Sequence, residues 1–220
     1  MPTSTVEDYL KCILLEEERQ RGERVPTGRI AAALAVTPGT VTTMLKALAD
    51  SRLIDYEAYG GARLTPAGRR LAAHVVRRHR LVELFLVEVL GFDWSEVHDE
   101  AERLEHAVSE RLIDRIDEML GRPAVDPHGD PIPDAEGKLS AAQLPALDSL
   151  EPGQRARIAR VADREPDFLK LVEKLGLRPG VRLRVASRDE AADLLELDLG
   201  RGKRVTLGRR AGGRIFVEPG

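Results

Sequence analysis

Residues 25–64 have the sequence VPTGRIAAALAVTPGTVTTMLKALADSRLIDYEAYGGARL, and the order of its helix and turn signals decides the fold of the N-terminal part. Thr27 precedes one helical pattern, and Thr37 followed by Pro38 begins another, because threonine caps helix N-termini and proline favours the first helical position. Two short apolar segments then flank a glycine pair at 60–61, which predicts a β-hairpin. Short helix, turn, helix and hairpin in this order indicate a winged helix-turn-helix.

The second of these helices carries the residues that we expect to contact DNA. Its outward positions are small and mostly hydroxylic, so they can approach base edges and thymine methyl groups in a major groove. Three basic residues are placed for phosphate contacts, with Arg63 expected at the tip of the hairpin. The alternative is that the threonines only cap and cover a helix. The DNA-binding assignment comprises Thr37, Gly39, Thr40, Thr42, Thr43, Arg29, Lys46 and Arg63.

The segments on either side have helical periodicity. A helix is predicted over 6–20, a second from Pro66 to near Gly91, and a third, continuous one capped by Ser95 and ending at Gly121. The second is apolar over too much of its surface for a solvated helix, which indicates an intradomain core, a subunit interface or both. The apolar residues concerned are Leu81, Val82, Leu84, Phe85, Leu86, Val89 and Leu90.

The C-terminal part has a different texture. Residues 121–152 are too rich in proline and glycine for regular structure and are interpreted as a linker. Five short segments of alternating hydrophobicity follow, with one helix between the first two, and they predict a small SH3-like β-barrel. The expected fold class is therefore mainly α with a small β part.

Composition limits the classes of function. Aromatic residues make up only 4% of the chain, which argues against a single-strand binder that stacks bases. Residues 1–80 have a formal charge of +4 and the remainder −7, which permits nucleic-acid contact by the N-terminal part. Neither a membrane-spanning apolar run nor a secretion signal is visible, so we expect a cytoplasmic protein without a membrane partner. The single cysteine, Cys12, fits a reducing compartment and is expected to be inert packing.

Three groups of residues have the chemistry of metal ligands. The first group is spaced to project from one side of the third predicted helix and consists of His98, Glu102, Glu105 and His106. The second is His79 with Glu83, which are one turn apart on the helix before. The third is Asp8, on the opening helix. Imidazole with carboxylate and no thiolate suits Mn²⁺, Fe²⁺ or Zn²⁺, and a carboxylate-rich set favours Mn²⁺ or Fe²⁺. The alternative is a solvated charged face, although three of the five histidines fall in these groups.

With these residues in view, the chain resembles the three-domain members of the diphtheria-toxin-repressor/manganese-repressor family. The motifs are VEDYL (6–10), RRHRLVELFL (77–86), VHDEAERLEH (97–106) and PHGDPIP (127–133), and LGLRPG (175–180) marks the C-terminal module. The resemblance implies a winged helix-turn-helix DNA-binding domain over 1–73 and a helical dimerisation and metal-binding domain over 74–140. A linker over 141–152 and an SH3-like, FeoA-like domain over 153–220 complete the expected organisation.

The resemblance also divides the ligands between two sites. It implies a primary site of Asp8, Glu102, Glu105 and His106, and an ancillary site of His79, Glu83 and His98 completed by Glu165 or Asp167. The iron-responsive branch has methionine and cysteine at positions 8 and 102, so two carboxylates favour Mn²⁺, with Fe²⁺ as the alternative and Zn²⁺, Co²⁺, Ni²⁺ or Cd²⁺ as substitutes. The two-domain manganese repressors have a carboxylate where this chain has Lys11, so two separate sites are expected rather than a binuclear one. His128 is assigned to a structural linker motif.

The expected function is a metal-dependent transcription regulator, not an enzyme, which controls metal-homeostasis genes. The metal ion would act as a co-repressor by joining a helix of the DNA-binding domain to the dimerisation helices. A homodimer would then bind double-stranded palindromic operator DNA. Two alternatives remain open: a winged-helix regulator that senses an organic ligand, and a carboxylate-bridged helical metalloenzyme, for which the Glu-x-x-His motif is missing.

Overall fold

The computed structural model describes residues 3–20, 23–139, 143–162 and 165–220, which divide into two compact units. The described residues of 1–79, with 105–108 and 133–139, form the first unit. Residues 80–104, 109–132 and the described residues from 143 onward form the second. The division falls within one helix, between His79 and Arg80.

The first unit confirms the winged helix-turn-helix. Its elements are α1 (Ser4–Arg19), α2 (Thr27–Ala33), α3 (Pro38–Asp50), the hairpin strands β1 (Ile54–Glu57) and β2 (Gly61–Leu64), and the beginning of α4 (Pro66–Glu88). Thr37 caps α3 as predicted, because its hydroxyl accepts a hydrogen bond from the Thr40 amide. Thr27 was expected to cap α2 but is its first residue, and Pro26 stands at the cap without a side-chain bond. The core includes Leu10, Ile13, Leu14, Ile30, Val41, Leu45 and Leu48.

The hairpin differs from the prediction at its tip. Gly61 already pairs with Glu57, so the turn consists of residues 58–60, and Arg63 lies within β2 opposite Asp55. The expectation that Arg63 lies at the tip is therefore wrong. Tyr59 occupies the tip instead, fully exposed and with a left-handed φ of 65°.

The long helix predicted after Ser95 is also wrong, since the structure has two shorter helices. These are α5 (Val97–Leu104) and α6 (Glu110–Met119), separated by residues 105–109. Ser109 begins α6, because its hydroxyl accepts a hydrogen bond from the Leu112 amide. Ser95 does not cap α5; its own amide and hydroxyl donate to the Asp93 carboxylate. Glu105 and His106 therefore lie in a turn and not on a helix face.

The apolar residues of α4 serve mainly as core. Leu81, Val82, Leu84 and Leu86 are buried within the chain itself, which supports the intradomain interpretation for them. The end of the pattern is different, since Val89 and Leu90, just after α4, are about half exposed at 48% and 56%.

The C-terminal residues form one five-stranded antiparallel sheet in the order β6-β5-β4-β3-β7. Its strands are β3 (Arg155–Val161), β4 (Arg182–Asp189), β5 (Leu194–Asp198), β6 (Arg204–Gly208) and β7 (Ile215–Pro219), with α7 (Pro166–Leu175) after β3 and the short α8 (Arg209–Gly212) after β6. All five predicted strands and the predicted helix are present. Among the described strands, β6 and β7 remain the two edges, so the expected barrel is an open sheet.

No single described helix is long and apolar enough to cross a membrane. Among the described helices, only α2 and α3 taken together pass a test of length and composition, and the two are bent by 110° at the break between them.

Candidate metal centre

Helix α1 and the turn after α5 bring three of the four predicted primary ligands together. The Nε2 atom of His106 lies 2.8 Å from Oδ1 of Asp8 and 3.3 Å from Oε1 of Glu105. One ligand atom from each residue lies within 4.8 Å of the others. Atoms that share an ion at about 2.1 Å are at most about 4.2 Å apart, so small side-chain adjustments suffice for a metal ion. Two carboxylates and an imidazole without sulfur fit Mn²⁺ or Fe²⁺.

The break between α5 and α6 makes this arrangement possible. All three residues belong to the first unit, because residues 105–108 pack with residues 3–79. Glu105 is fully buried there, whereas Asp8 and His106 are partly exposed. Glu102 lies on α5, in the second unit, and its place in the primary site remains a prediction.

A second carboxylate orients His106 from the other side of its ring. The Nδ1 atom of His106 lies 2.7 Å from Oε2 of Glu7, and Arg78 binds the same Glu7 oxygen at 2.8 Å. When Nδ1 donates to Glu7, Nε2 is directed toward Asp8 and Glu105, as histidine ligands of metals require. Glu7 was not predicted from the sequence, although its position beside Asp8 was the available signal.

The surrounding charges favour a protonated His106 before metal binds. Burial by itself lowers the pKa of His106, but the hydrogen bond to Glu7 and the charges of Glu105 and Asp8 outweigh it, so this pKa is raised. A metal ion at Nε2 must therefore replace a proton, and binding weakens as the pH falls through the raised pKa.

Lys11 is part of the same buried network. Its Nζ atom donates to both carboxylate oxygens of Glu105, at 2.9 and 2.7 Å, and lies 3.2 Å from Nδ1 of His79. That His79 nitrogen is also 2.5 Å from Oε2 of Glu105. One carboxylate, Glu105, thus contacts a predicted ligand of each site. These contacts of Lys11 were not predicted from the sequence, where Lys11 only stands in place of a carboxylate of related repressors.

Part of the predicted ancillary site also forms. Oε1 of the buried Glu83 lies 3.0 Å from Nδ1 of His98, whose Nε2 is 3.7 Å from Glu102. Glu165 and Asp167 lie at the exposed start of α7, where Glu165 pairs with Arg214 at 3.5 Å. Neither belongs to any group of ligand atoms found among the described residues. Their metal-binding role remains a prediction.

The remaining candidates have structural surroundings. His128 is buried, donates from Nε2 to the Trp94 carbonyl at 3.0 Å, and packs on the Trp94 ring, which supports its assignment to the linker motif. It also lies close to Asp126 and Glu83, and this buried group was not predicted from the sequence. Burial raises the pKa of Cys12 to about 12, with a further contribution from Glu16, so the thiolate is disfavoured and the thiol is inert.

The proposed DNA-contacting residues are accessible, but several hydroxyls already have partners. Most of the residues in that assignment are exposed, and Thr42 is half-buried. Thr37 caps α3, while the Thr42 and Thr43 hydroxyls donate to backbone carbonyls one turn earlier. Arg29 also lies 3.6 Å from the Glu16 carboxylate. The threonines therefore stabilise the helix in addition to any contact with DNA.

Comparison with known proteins identifies the family. Residues 1–62 match the N-terminal DNA binding domain of the iron dependent repressors, and residues 65–134 match their metal binding and dimerisation domain. The iron-dependent repressor IdeR of Mycobacterium leprae is 32% identical over 194 residues, covering 82% of this chain and 83% of that protein. The chain belongs to the diphtheria-toxin-repressor/manganese-repressor family. Residues 146–219 match the FeoA domain.

Other members of this family are similar over much of the chain. The HTH-type transcriptional regulator MntR of Bacillus pumilus is 38% identical over 120 residues, which are 54% of this chain and 81% of that protein. A solved manganese-dependent transcriptional repressor in complex with manganese is 40% identical, with a TM-score of 0.89 over 97% of this chain and 99% of that one. ScaR with bound Cd²⁺ is 34% identical, with a TM-score of 0.78 and 99% coverage of both chains. The family predicted from the motifs is confirmed, and these relatives support neither the organic-ligand sensor nor the metalloenzyme.

Proposed function

We propose that this chain is a manganese-responsive transcriptional repressor whose activating ion binds Asp8, Glu105 and His106, with Glu102 as a fourth ligand. The observation that carries the proposal is the convergence of Asp8, Glu105 and His106 around Nε2 of His106. Fe²⁺ is the alternative activator, and Zn²⁺, Co²⁺, Ni²⁺ or Cd²⁺ substitute. The relatives include regulators named for manganese and for iron, and the absence of sulfur atoms from this set of ligands favours Mn²⁺.

The ligands suggest how metal binding reaches the DNA-binding elements. When bound, the ion supplies positive charge between carboxylates that otherwise repel each other. Asp8 lies on α1 of the winged helix-turn-helix, whereas Glu105 and His106 lie in the turn between α5 and α6. Glu7 holds the His106 ring, and the Nε2 proton of His106 would be released to solvent when an ion binds there. Together these residues fix the turn against α1, so the metal stabilises the DNA-competent arrangement.

The chain acts in this proposal as a homodimer on double-stranded palindromic operator DNA, without enzymatic turnover. Six of the nine exposed large apolar side chains of the described residues lie in the predicted dimerisation region, namely Val89, Leu90, Phe92, Leu112, Met119 and Val125. Such residues are typical of a subunit interface. The α3 helices of the two protomers would then face half-sites that are one turn of DNA, ~34 Å, apart.

DNA binding titrated with metal tests this proposal. We expect the apo protein to bind a palindromic promoter fragment only after Mn²⁺ is added, as measured by fluorescence anisotropy. Asp8→Ala should require at least about tenfold more Mn²⁺, because it removes a charged ligand. Glu100→Ala is the matched control, since Glu100 is a carboxylate on α5 that pairs with Arg103 outside the site. Equal DNA binding after chelation would refute the metal switch.

We propose a second, ancillary site at Glu83 and His98, with His79 as the third ligand and Glu165 or Asp167 from the C-terminal domain. The contact between Glu83 and His98 supports it. Calorimetric titration should give two Mn²⁺ ions per chain in the wild type and one in His98→Ala. An unchanged count of two in the variant would contradict the assignment.

A further inference from the structure

A buried ammonium group stands among the candidate metal ligands. The Nζ atom of Lys11 lies 2.7 and 2.9 Å from the two oxygens of Glu105 and 3.2 Å from Nδ1 of His79. The Lys11 side chain is 8% exposed and that of Glu105 is fully buried. A lysine and a carboxylate are this deeply buried only when each compensates the charge of the other.

One of the two Glu105 oxygens that Lys11 binds faces the candidate metal position. Oε1 of Glu105 accepts from Lys11 at 2.9 Å and also lies 3.3 Å from Nε2 of His106. Oε2 of Glu105 is occupied as well, by Lys11 at 2.7 Å and by His79 at 2.5 Å. A divalent ion on Glu105 must therefore either share an oxygen with the ammonium or displace it. In both cases two positive charges compete for one buried carboxylate.

We propose that Lys11 is a resident cation that competes with the metal ion for Glu105 and thereby sets the Mn²⁺ concentration at which the protein responds. This inference rests on the proposed function in one respect, that the activating ion binds Glu105. Before metal binds, Lys11 compensates the buried carboxylate and keeps the turn at 105–108 attached to α1. After metal binds, repulsion by the ammonium group lowers the affinity of the site for the ion and disfavours the binding of a second ion beside Glu105.

A purely structural role for Lys11 predicts the opposite result. If Lys11 only oriented Glu105, its removal would leave the carboxylate misplaced, and Mn²⁺ would bind more weakly. If Lys11 competes, its removal leaves a buried carboxylate without this cation, and Mn²⁺ binds more tightly. The sign of the change in affinity therefore separates the two roles.

The test uses the full-length protein and Mn²⁺ alone. Lys11→Met keeps the length of the side chain without its charge, and Lys11→Gln is a second neutral variant that can still donate to Glu105. By calorimetric titration in a competing chelator, we expect both to bind Mn²⁺ about tenfold more tightly than the wild type, the effect of removing one unit charge. Lys11→Arg keeps the charge, and Lys174→Met removes an exposed charge on α7, so both should bind as the wild type does.

Thermal unfolding supplies a second measurement that does not depend on DNA binding. The neutral variants should have a lower Tm than the wild type without metal, because Glu105 loses its cation, and a larger rise in Tm with saturating Mn²⁺. Unchanged or weaker Mn²⁺ binding by both neutral variants would overturn the proposed competition. A wild type that binds no Mn²⁺ would instead overturn the proposed function, so the two failures are distinguishable.

Discussion

Replacement of Glu7 by glutamine gives the sharpest prediction about the primary site. Glu7 accepts from Nδ1 of His106 at 2.7 Å, and the two side chains are only 15% and 20% exposed. Glutamine keeps an oxygen acceptor at this position but removes the negative charge. A hydrogen bond to a charged group contributes about 1.5–3 kcal/mol and a neutral one about 0.5–1.5 kcal/mol, so the difference is about 1–1.5 kcal/mol. The expected loss of Mn²⁺ affinity is therefore about tenfold.

A graded series strengthens this prediction. Glu7→Ala removes the acceptor as well as the charge, and the expected loss is about 100-fold, the upper end for residues that orient a metal-binding histidine. Glu100→Gln removes a partly exposed carboxylate that lies outside the site and should leave the affinity unchanged. Calorimetric titration of the apo proteins with Mn²⁺ at pH 8 gives the three values under one condition.

The pH dependence of the Glu7→Gln effect follows from the protonation of His106. Burial lowers the pKa of His106, and the hydrogen bond to Glu7 is the largest of the effects that raise it above its ordinary value. Without that charge the pKa of His106 falls, so fewer variant molecules carry the proton that metal must replace at low pH. The deficit of Glu7→Gln should therefore be largest at pH 8 and narrow at pH 6. Equal affinity of variant and wild type at pH 8, or a deficit that is independent of pH, would refute the reasoning.

Three further predictions concern ligand choice and stability. Asp8→Met introduces a soft sulfur ligand and should shift metal-dependent DNA binding from Mn²⁺ toward Fe²⁺, and unchanged titration curves for both metals would count against the assignment. Glu17→Gln should lower the free energy of unfolding by about 2–3 kcal/mol in urea denaturation, because the buried Glu17 carboxylate binds Arg69 and the backbone amide of Leu64 in β2. A loss below about 0.5 kcal/mol would contradict this prediction. Gly129→Ala should lower Tm far more than Gly91→Ala does. Both glycines have a positive φ, 87° and 71°, but the added methyl group meets a backbone carbonyl at position 129 and open space at position 91. Similar losses of Tm would show that the contact with the carbonyl is unimportant.

The sequence predicted the elements with strong local signals. The cap at Thr37, the glycine pair at 60–61 and the five alternating segments near the C-terminus all have counterparts in the structure. Local signals were insufficient where a helix ends without glycine or proline. Residues 105–109 continue the helical pattern, and only the capping hydroxyl of Ser109 indicates that a new helix begins there.

The candidate site was predictable in its ligands and not in its contacts. Asp8, Glu105 and His106 could be named from spacing and from the family resemblance, but not the contacts of Glu7 with His106 or of Lys11 with Glu105. These pairs are separated by 99 and 94 residues in the sequence, and no local periodicity relates them. Long-range contacts of this kind depend on how the turn at 105–108 packs on α1, which the sequence pattern does not specify.

The same contacts suggest why the site is built from partners of alternating charge. A sensor must lose its ion when the concentration falls, so a site that binds too tightly cannot respond. In this chain a proton on His106 and the ammonium of Lys11 each oppose the metal ion, while Glu7 strengthens the histidine that binds it. Removal of Glu7 should therefore lower the affinity for Mn²⁺, and removal of the Lys11 charge should raise it. The two residues act on different ligands, His106 and Glu105, but these ligands lie 3.3 Å apart in one network, so their effects on the free energy of binding should not be strictly additive. The double variant Glu7→Gln/Lys11→Gln should therefore bind Mn²⁺ with an affinity between those of the two single variants. A double variant that binds as weakly as Glu7→Gln alone would mean that Lys11 acts only through His106 and not as an independent competitor.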